Sequence, residues 1–173
     1  MRFDQIEPKA GEGLIRVVVE TPKGSHHKFA FEPDLKAFVL RKSLPEGMVF
    51  PFDFGFIPKT QGDDGDPLDV LILSDAPLFA GCVVQARIIG VIEAEQSEKK
   101  VHERNDRFVA VVDASLDWGD VEDAKDLPPH IIGQTEQFFV SYNKMAGKRF
   151  KVLGVLGAKA AAKRLKKSFG KSR

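Results

Sequence analysis

The spacing of apolar residues changes once along this 173-residue chain, and that change limits the folds open to it. Up to about residue 113 the apolar segments are short, β-branched and separated by turn residues. Ile15–Glu20, Lys28–Phe31, Ala37–Leu40, Val70–Leu73, Val83–Ile92 and Arg107–Val112 read as strands. Val70–Leu73 is unbroken by any polar residue and reads as a buried strand. After Pro128-Pro129 the period lengthens: Ile131, Thr135, Phe138, Phe139 and Tyr142 recur at helical spacing up to Gly147, and Ala158–Phe169 reads as a second helix. Strands first and helices afterwards predict an α+β fold, a small barrel or sandwich with helices packed on its outside. With no repeat, low-complexity segment or linker, residues 1–173 read as one domain, long enough to bury its own core.

Composition removes several classes of function. No apolar run approaches the roughly 18 residues of a membrane helix. The N-terminal MRFDQIEPKAGEG lacks the apolar stretch of a signal peptide, and the single Cys82 cannot form an internal bridge; a cytoplasmic protein is expected. The net charge of +1 conceals a split: up to Glu136 there are 15 bases against 25 acids, and beyond it eleven bases and no acid. The basic segment reads as a solvated C-terminal helix and tail over 158–173, with Ser168–Arg173 dispensable. An acidic body suits bound cations better than nucleic acid or a membrane surface.

The acid is concentrated where it is best positioned. Gln61-Gly62-Asp63-Asp64-Gly65-Asp66-Pro67-Leu68-Asp69-Val70 sets four carboxylates within seven positions, directly before the buried strand. Pro67 favours an extended Asp66, so Asp64 and Asp66 are expected to project to one side, with Asp69 at the mouth of the strand. Carboxylates this close repel one another, and a hard divalent cation relieves the repulsion. The spacing is not that of an EF-hand: the fifth position from Asp64 is Leu68, and the sixth is Asp69 rather than glycine. The four histidines lack zinc-ligand spacing, and no P-loop, GxGxxG or GxSxG occurs. Magnesium-assisted phosphate chemistry is the leading use of such a loop. Lys28 and Arg41, upstream on strands, are candidates for the fixed positive charge that a phosphate substrate needs. Tyr142, the only tyrosine beside fourteen phenylalanines, suggests a polar partner on an otherwise apolar helical face.

These residues resemble a known family. Asp64-Gly65-Asp66-Pro67-Leu68-Asp69-Val70 is similar to the signature of the family I soluble inorganic pyrophosphatases. So is the order of Val19-Glu20-Thr21-Pro22, Lys28-Phe29, Arg41, Phe50-Pro51-Phe52-Asp53-Phe54-Gly55-Phe56-Ile57, Phe138-Phe139 with Tyr142, and Gly147-Lys148. The resemblance runs from about residue 14 to 152. It implies a small OB-like five-stranded β-barrel with flanking C-terminal helices, and Mg²⁺-dependent hydrolysis of pyrophosphate to two phosphates by a metal-activated water. It further implies Asp64, Asp66, Asp69 and Glu20 around the metals, with Asp66 accepting a proton from the water, and Lys28, Arg41 and Tyr142 on the phosphates. A homo-oligomer is implied as well, a hexamer in bacterial relatives.

Several positions depart from the family. Ala30 stands where the best-known bacterial members have glutamate, Phe54 where they have tyrosine, and Asn143 where a lysine follows the helical tyrosine. The family's loop with two aspartates and a lysine is longer here. By the resemblance Arg107 takes the lysine's place, Glu95 the first aspartate's, and Asn105 or Asp106 the second's. Lys148 or Lys144 would supply the missing lysine charge. Two alternatives stay open at the level of sequence: a non-catalytic OB-type nucleic-acid-binding domain, and an Mg²⁺-dependent phosphatase of nucleotides or polyphosphate.

Overall fold

The computed structural model describes residues 1–63, 65–98 and 101–169. In chain order they form β1 (Lys9–Gly11), β2 (Leu14–Thr21), β3 (His27–Glu32), β4 (Ala37–Ser43), β5 (Asp53–Ile57), β6 (Leu68–Leu73), β7 (Val83–Glu98), β8 (Val101–Arg104), β9 (Arg107–Val112), α1 (Pro129–Met145), β10 (Arg149–Gly157) and α2 (Ala158–Ser168). The strands β2-β5-β6-β9-β7 pair in that order, and β7 also pairs with β2, which closes a ring of five. Only β6–β9 is parallel among the ring's pairings. The expected α+β class and five-stranded barrel are therefore what the chain forms.

Packing explains the unbroken run in β6. Val70 and Ile72 belong to one apolar cluster, with Val17, Phe108 and Ala110, while Leu71 and Leu73 belong to another, with Phe54, Phe138 and Phe139. A strand buried on both faces has no place for a polar residue. Where β5 meets β2 the backbones come very close, and a Cβ on Gly55 would lie 1.9 Å from the Val18 carbonyl oxygen. Glycine at that point is what lets the ring close.

Four strands have no counterpart in the apolar pattern: β1, β5, β8 and β10. The charged stretch after Ile92 is not a loop. Hydrogen bonding carries β7 on to Glu98, and β8 returns along it in a hairpin with Glu95 opposite Arg104. The last strand, β10, lies between the two helices and pairs with β7 outside the ring. A two-stranded sheet, β3 with β4, lies outside the ring, packs Phe31 against Val18 and Phe56, and contributes lining to the site.

The C-terminal helix differs from the solvated end expected of it. Ala161, Leu165 and Ser168 on α2 are buried, the first two within the β6 cluster that includes Val70. Asp123 Oδ2 accepts the N–H of Ala158 at 2.9 Å, satisfying one of the donors left open at the start of a helix. Phe169 forms an isolated bridge with Thr60, just ahead of the acidic loop. Basic residues on α2 line its outer face, but its inner face is part of the core.

Candidate active site

A cleft of about 670 Å³ opens between the β3–β4 sheet, the acidic loop and the C-terminal end of α1. Glu20, Lys28, Arg41, Asp66, Asp69, Asn105, Arg107, Tyr142 and Lys148 all line it, so most of the residues singled out in the sequence meet there. Asp64 lies outside the described residues. Glu95, Asp106 and Lys144 do not line the cleft, and each has a structural reason.

Glu20 sits near the end of β2, 8 % exposed, and its Oε1 accepts the Phe31 N–H at 2.7 Å. Burial pushes its carboxyl up to about 7, and the nearby Asp69 and Asp66 push the same way, against the pull of Lys28 and of the Phe31 N–H. The three acids thus face one another across a partly desolvated space. Asp69 enters from β6. The parallel register that sets Val70 beside Phe108 also sets Asp69 beside Arg107, and Asp69 Oδ2 lies 2.6 Å from Arg107 Nη1. Arg107 is 6 % exposed, with its guanidinium 5.3 Å from the Phe139 ring centroid and 5.8 Å from that of Phe54. Such stacking holds a cation that is always charged in one orientation.

Further cations line the same cleft. Lys28 Nζ lies 4.5 Å from the Phe54 ring centroid. Arg41 Nη2 pairs with Glu32 Oε2 at 2.6 Å, and Lys148 Nζ lies 3.3 Å from Glu98 Oε2. Tyr142 stacks on Phe138. Burial raises its hydroxyl to about 12, so near neutral pH it stays protonated and able to donate.

The β7–β9 segment sends its candidates to different faces. Strand alternation turns Gln96, not Glu95, into the cleft. Glu95 is bound instead to His102 Nδ1 on the neighbouring β8, at 3.0 Å. Asn105 lines the cleft, donating from Nδ2 to Gln96 Oε1 at 3.1 Å and accepting from Arg107 Nη1. Asp106 turns away, accepts the Ala94 N–H at 3.0 Å, and joins Glu93, Arg104 and Arg164 of α2 in an ion-pair cluster. Of the metal-site candidates Glu95, Asn105 and Asp106, only Asn105 therefore lines the cleft, with Gln96 beside it. No local signal marks Gln96, because Val91 and Ile92, of opposite parity, are both buried on β7. Lys144 is exposed on α1, and Asn143 beside it is 4 % exposed, its Nδ2 donating to the Phe139 carbonyl at 2.9 Å.

The donor set fits a hard divalent cation. Glu20, Asp66 and Asp69 offer oxygen ligands whose mutual repulsion a cation would relieve, and the amide oxygens of Gln96 and Asn105 are suitable neutral neighbours. Among the described residues no three acidic, histidine or cysteine side chains close round one point.

Oxygen donors and fixed cations gathered in one cleft beside a small barrel suit an enzyme that handles phosphates. Wider similarity makes the class specific. Residues 17–172 match the family model of inorganic pyrophosphatase. The chain is 35 % identical over 154 residues to the inorganic pyrophosphatase of a Nostoc species, covering 89 % of each chain. It is 37 % identical over 148 residues to that of a Synechocystis species, covering 86 % of this chain and 84 % of the relative. The crystal structure of inorganic pyrophosphatase from Thermus thermophilus superposes with a TM-score of 0.92 at 31 % identity, over 99 % of both chains. The chain belongs to the inorganic pyrophosphatase family.

Proposed function

We propose that this protein hydrolyses inorganic pyrophosphate to two phosphates, using Mg²⁺, with the cleft described above as its active site. The observation that carries the reading is the meeting in one cleft of the carboxylates Glu20, Asp66 and Asp69 with the cations Lys28, Arg41 and Lys148. Membership of the family supplies the reaction class.

Glu20, Asp66 and Asp69, with Asp64 by resemblance, would hold the metal, which when bound supplies Lewis-acid polarisation of phosphoryl oxygens and a more acidic water. Asp66 accepts a proton from the attacking water. Lys28, Arg41 and Lys148 hold the non-bridging phosphoryl oxygens, and fixed charge already in place needs no reorganisation as negative charge shifts to the leaving phosphate. Tyr142 donates its hydroxyl proton in a hydrogen bond to a phosphate oxygen. Arg107 orients Asp69 and adds positive charge at the cleft floor. The same reading takes 1–173 as one domain and the protein as a cytoplasmic homo-oligomer, hexameric by resemblance to bacterial relatives; among the described residues no helix is long and apolar enough to cross a membrane.

The deciding experiment is phosphate release from pyrophosphate, ATP and tripolyphosphate, each with Mg²⁺ and with EDTA. The expected result is rapid Mg²⁺-dependent release from pyrophosphate and far slower release from the others. Equal or faster release from ATP would instead make the protein a general nucleotide or polyphosphate phosphatase. A body with ten more acids than bases before residue 137 speaks against a nucleic-acid-binding barrel.

A further inference from the structure

The β3–β4 sheet places into the cleft a second lysine that strict strand alternation would send to the other face. Lys28 is paired with Lys42, whereas the next residue, Phe29, is paired with Leu40. Arg41 is thus the extra residue of a β-bulge. Bulges re-aim side chains, and here both Arg41 and its neighbour Lys42 line the cleft. Lys42 Nζ lies 3.5 Å from the Tyr142 ring centroid. Like charges directly opposite each other on paired strands destabilise a sheet, yet Lys42 has no ion pair among the described residues. Burial lowers its pKa, and the neighbouring charges of Lys28 and Lys148 act in the same direction. Two lysines opposite each other on paired strands, with the charge of Lys148 acting on one of them, form an arrangement that a multiply charged anion would favour.

We propose that Lys42 is a substrate-binding residue of this enzyme, holding a phosphoryl oxygen of pyrophosphate at the Tyr142 end of the cleft. The inference rests on the pyrophosphatase reading of the same site. It also accounts for Asn143 and Lys144. Asn143 lines the cleft with its amide donated to the Phe139 carbonyl, and Lys144 stands in solvent, so α1 itself brings no ammonium to this end of the cleft. Strand β4 supplies it instead, and the π face of Tyr142 holds it in place.

The test compares wild type, Lys42→Met and Lys42→Arg in three measurements: KM and kcat for Mg-pyrophosphate, calorimetric binding of Mg-imidodiphosphate, and the thermal midpoint of metal-free protein. Loss of a charge-assisted contact should raise both KM and the imidodiphosphate Kd of Lys42→Met roughly 10–100-fold, with kcat changed less. Lys42→Arg should recover most of the binding. Because a like-charge contact is removed, the midpoint of Lys42→Met should equal or exceed that of wild type. Unchanged imidodiphosphate affinity in Lys42→Met, beside a wild type that binds and hydrolyses normally, overturns the role of Lys42 and leaves the reading of the site intact. Weakened binding that Lys42→Arg shares in full, with a lowered midpoint in both variants, also overturns it, because that pattern belongs to packing. A wild type that neither binds imidodiphosphate nor releases phosphate overturns both readings.

Discussion

Asp69 Oδ2 and Arg107 Nη1 are 2.6 Å apart, and the pair is a product of register: parallel pairing of β6 with β9 sets each residue one position ahead of the partners Val70 and Phe108. A carboxylate proposed as a metal ligand is thereby tied to the best-buried cation of the cleft. Removing one partner of such a pair leaves the other charge desolvated and uncompensated.

Asp69 and Asp66 should therefore respond differently to the same substitution. Asp69→Asn is expected to weaken Mg²⁺ binding, with activity partly restored at raised Mg²⁺, and to lower stability because Arg107 loses its counter-charge. Asp66→Asn should cut kcat by roughly 10²–10⁴-fold, the usual worth of a positioned proton acceptor, with smaller effects on metal affinity. Titrations of kcat against Mg²⁺, with urea unfolding of both variants, separate the two. Rescue of Asp66→Asn to near wild-type turnover by high Mg²⁺ would make Asp66 a ligand only.

Glu20 predicts a pH dependence of the metal-free protein. Its carboxyl is held up at about 7 against an ordinary 4.5, chiefly by burial. Between those two values the folded state keeps a proton that the unfolded chain has released, so stability should fall as pH rises through the window and level off above it. The loss from this one group is up to roughly 3 kcal/mol. Glu20→Gln can still accept the Phe31 N–H through its amide oxygen and should flatten the slope. Urea unfolding in EDTA across the window reads the difference; parallel curves for variant and wild type would contradict it.

Along β7 and the turn that follows it, neighbours should differ sharply. Glu95→Gln loses only an exposed contact to His102, and kcat/KM should stay within about twofold. Gln96→Ala and Asn105→Ala remove polar atoms from the cleft and should each lower Mg²⁺ affinity or kcat/KM by roughly 10-fold or more, as loss of a group supporting a metal site does. Should Glu95→Gln be the most damaging of the three, the assigned strand parity is wrong.

Deletion of Ser168–Arg173 should not be silent. It removes the buried Ser168 and the Phe169–Thr60 bridge, and Thr60 Oγ1 accepts the Leu68 N–H at 3.0 Å, next to Asp69. We expect a loss of about 1–3 kcal/mol in stability and weaker Mg²⁺ binding. Thermal melts with and without Mg²⁺ would show both, and an unchanged melt would return the tail to the role of a solvated end.

Local chemistry by itself determined the α+β class, the burial of Val70–Leu73 and the acidic turn before it, because apolar period, proline and clustered charge act over a few neighbouring residues. The pairing of Glu20, Lys28, Arg41, Asp66, Asp69 and Tyr142 in one cleft was legible only through their resemblance to a family, since nothing local draws such distant residues together. Tertiary structure decided the rest. A one-residue step along a strand reverses the face a side chain takes, so whether Glu95 or Gln96 looks inward depended on where β7 pairs with β9 and β10. The bulge at Arg41 reversed that parity again and brought Lys42 into the site. Charged residues hid the β7–β8 hairpin, whose stability lies in cross-strand hydrogen bonds and contacts such as Glu95 with His102, not in an apolar pattern. The basic C-terminal segment looked like a solvated tail because charge count says nothing about direction: on α2 the lysines face water while Ala161 and Leu165 are held in the core by strands far away in sequence.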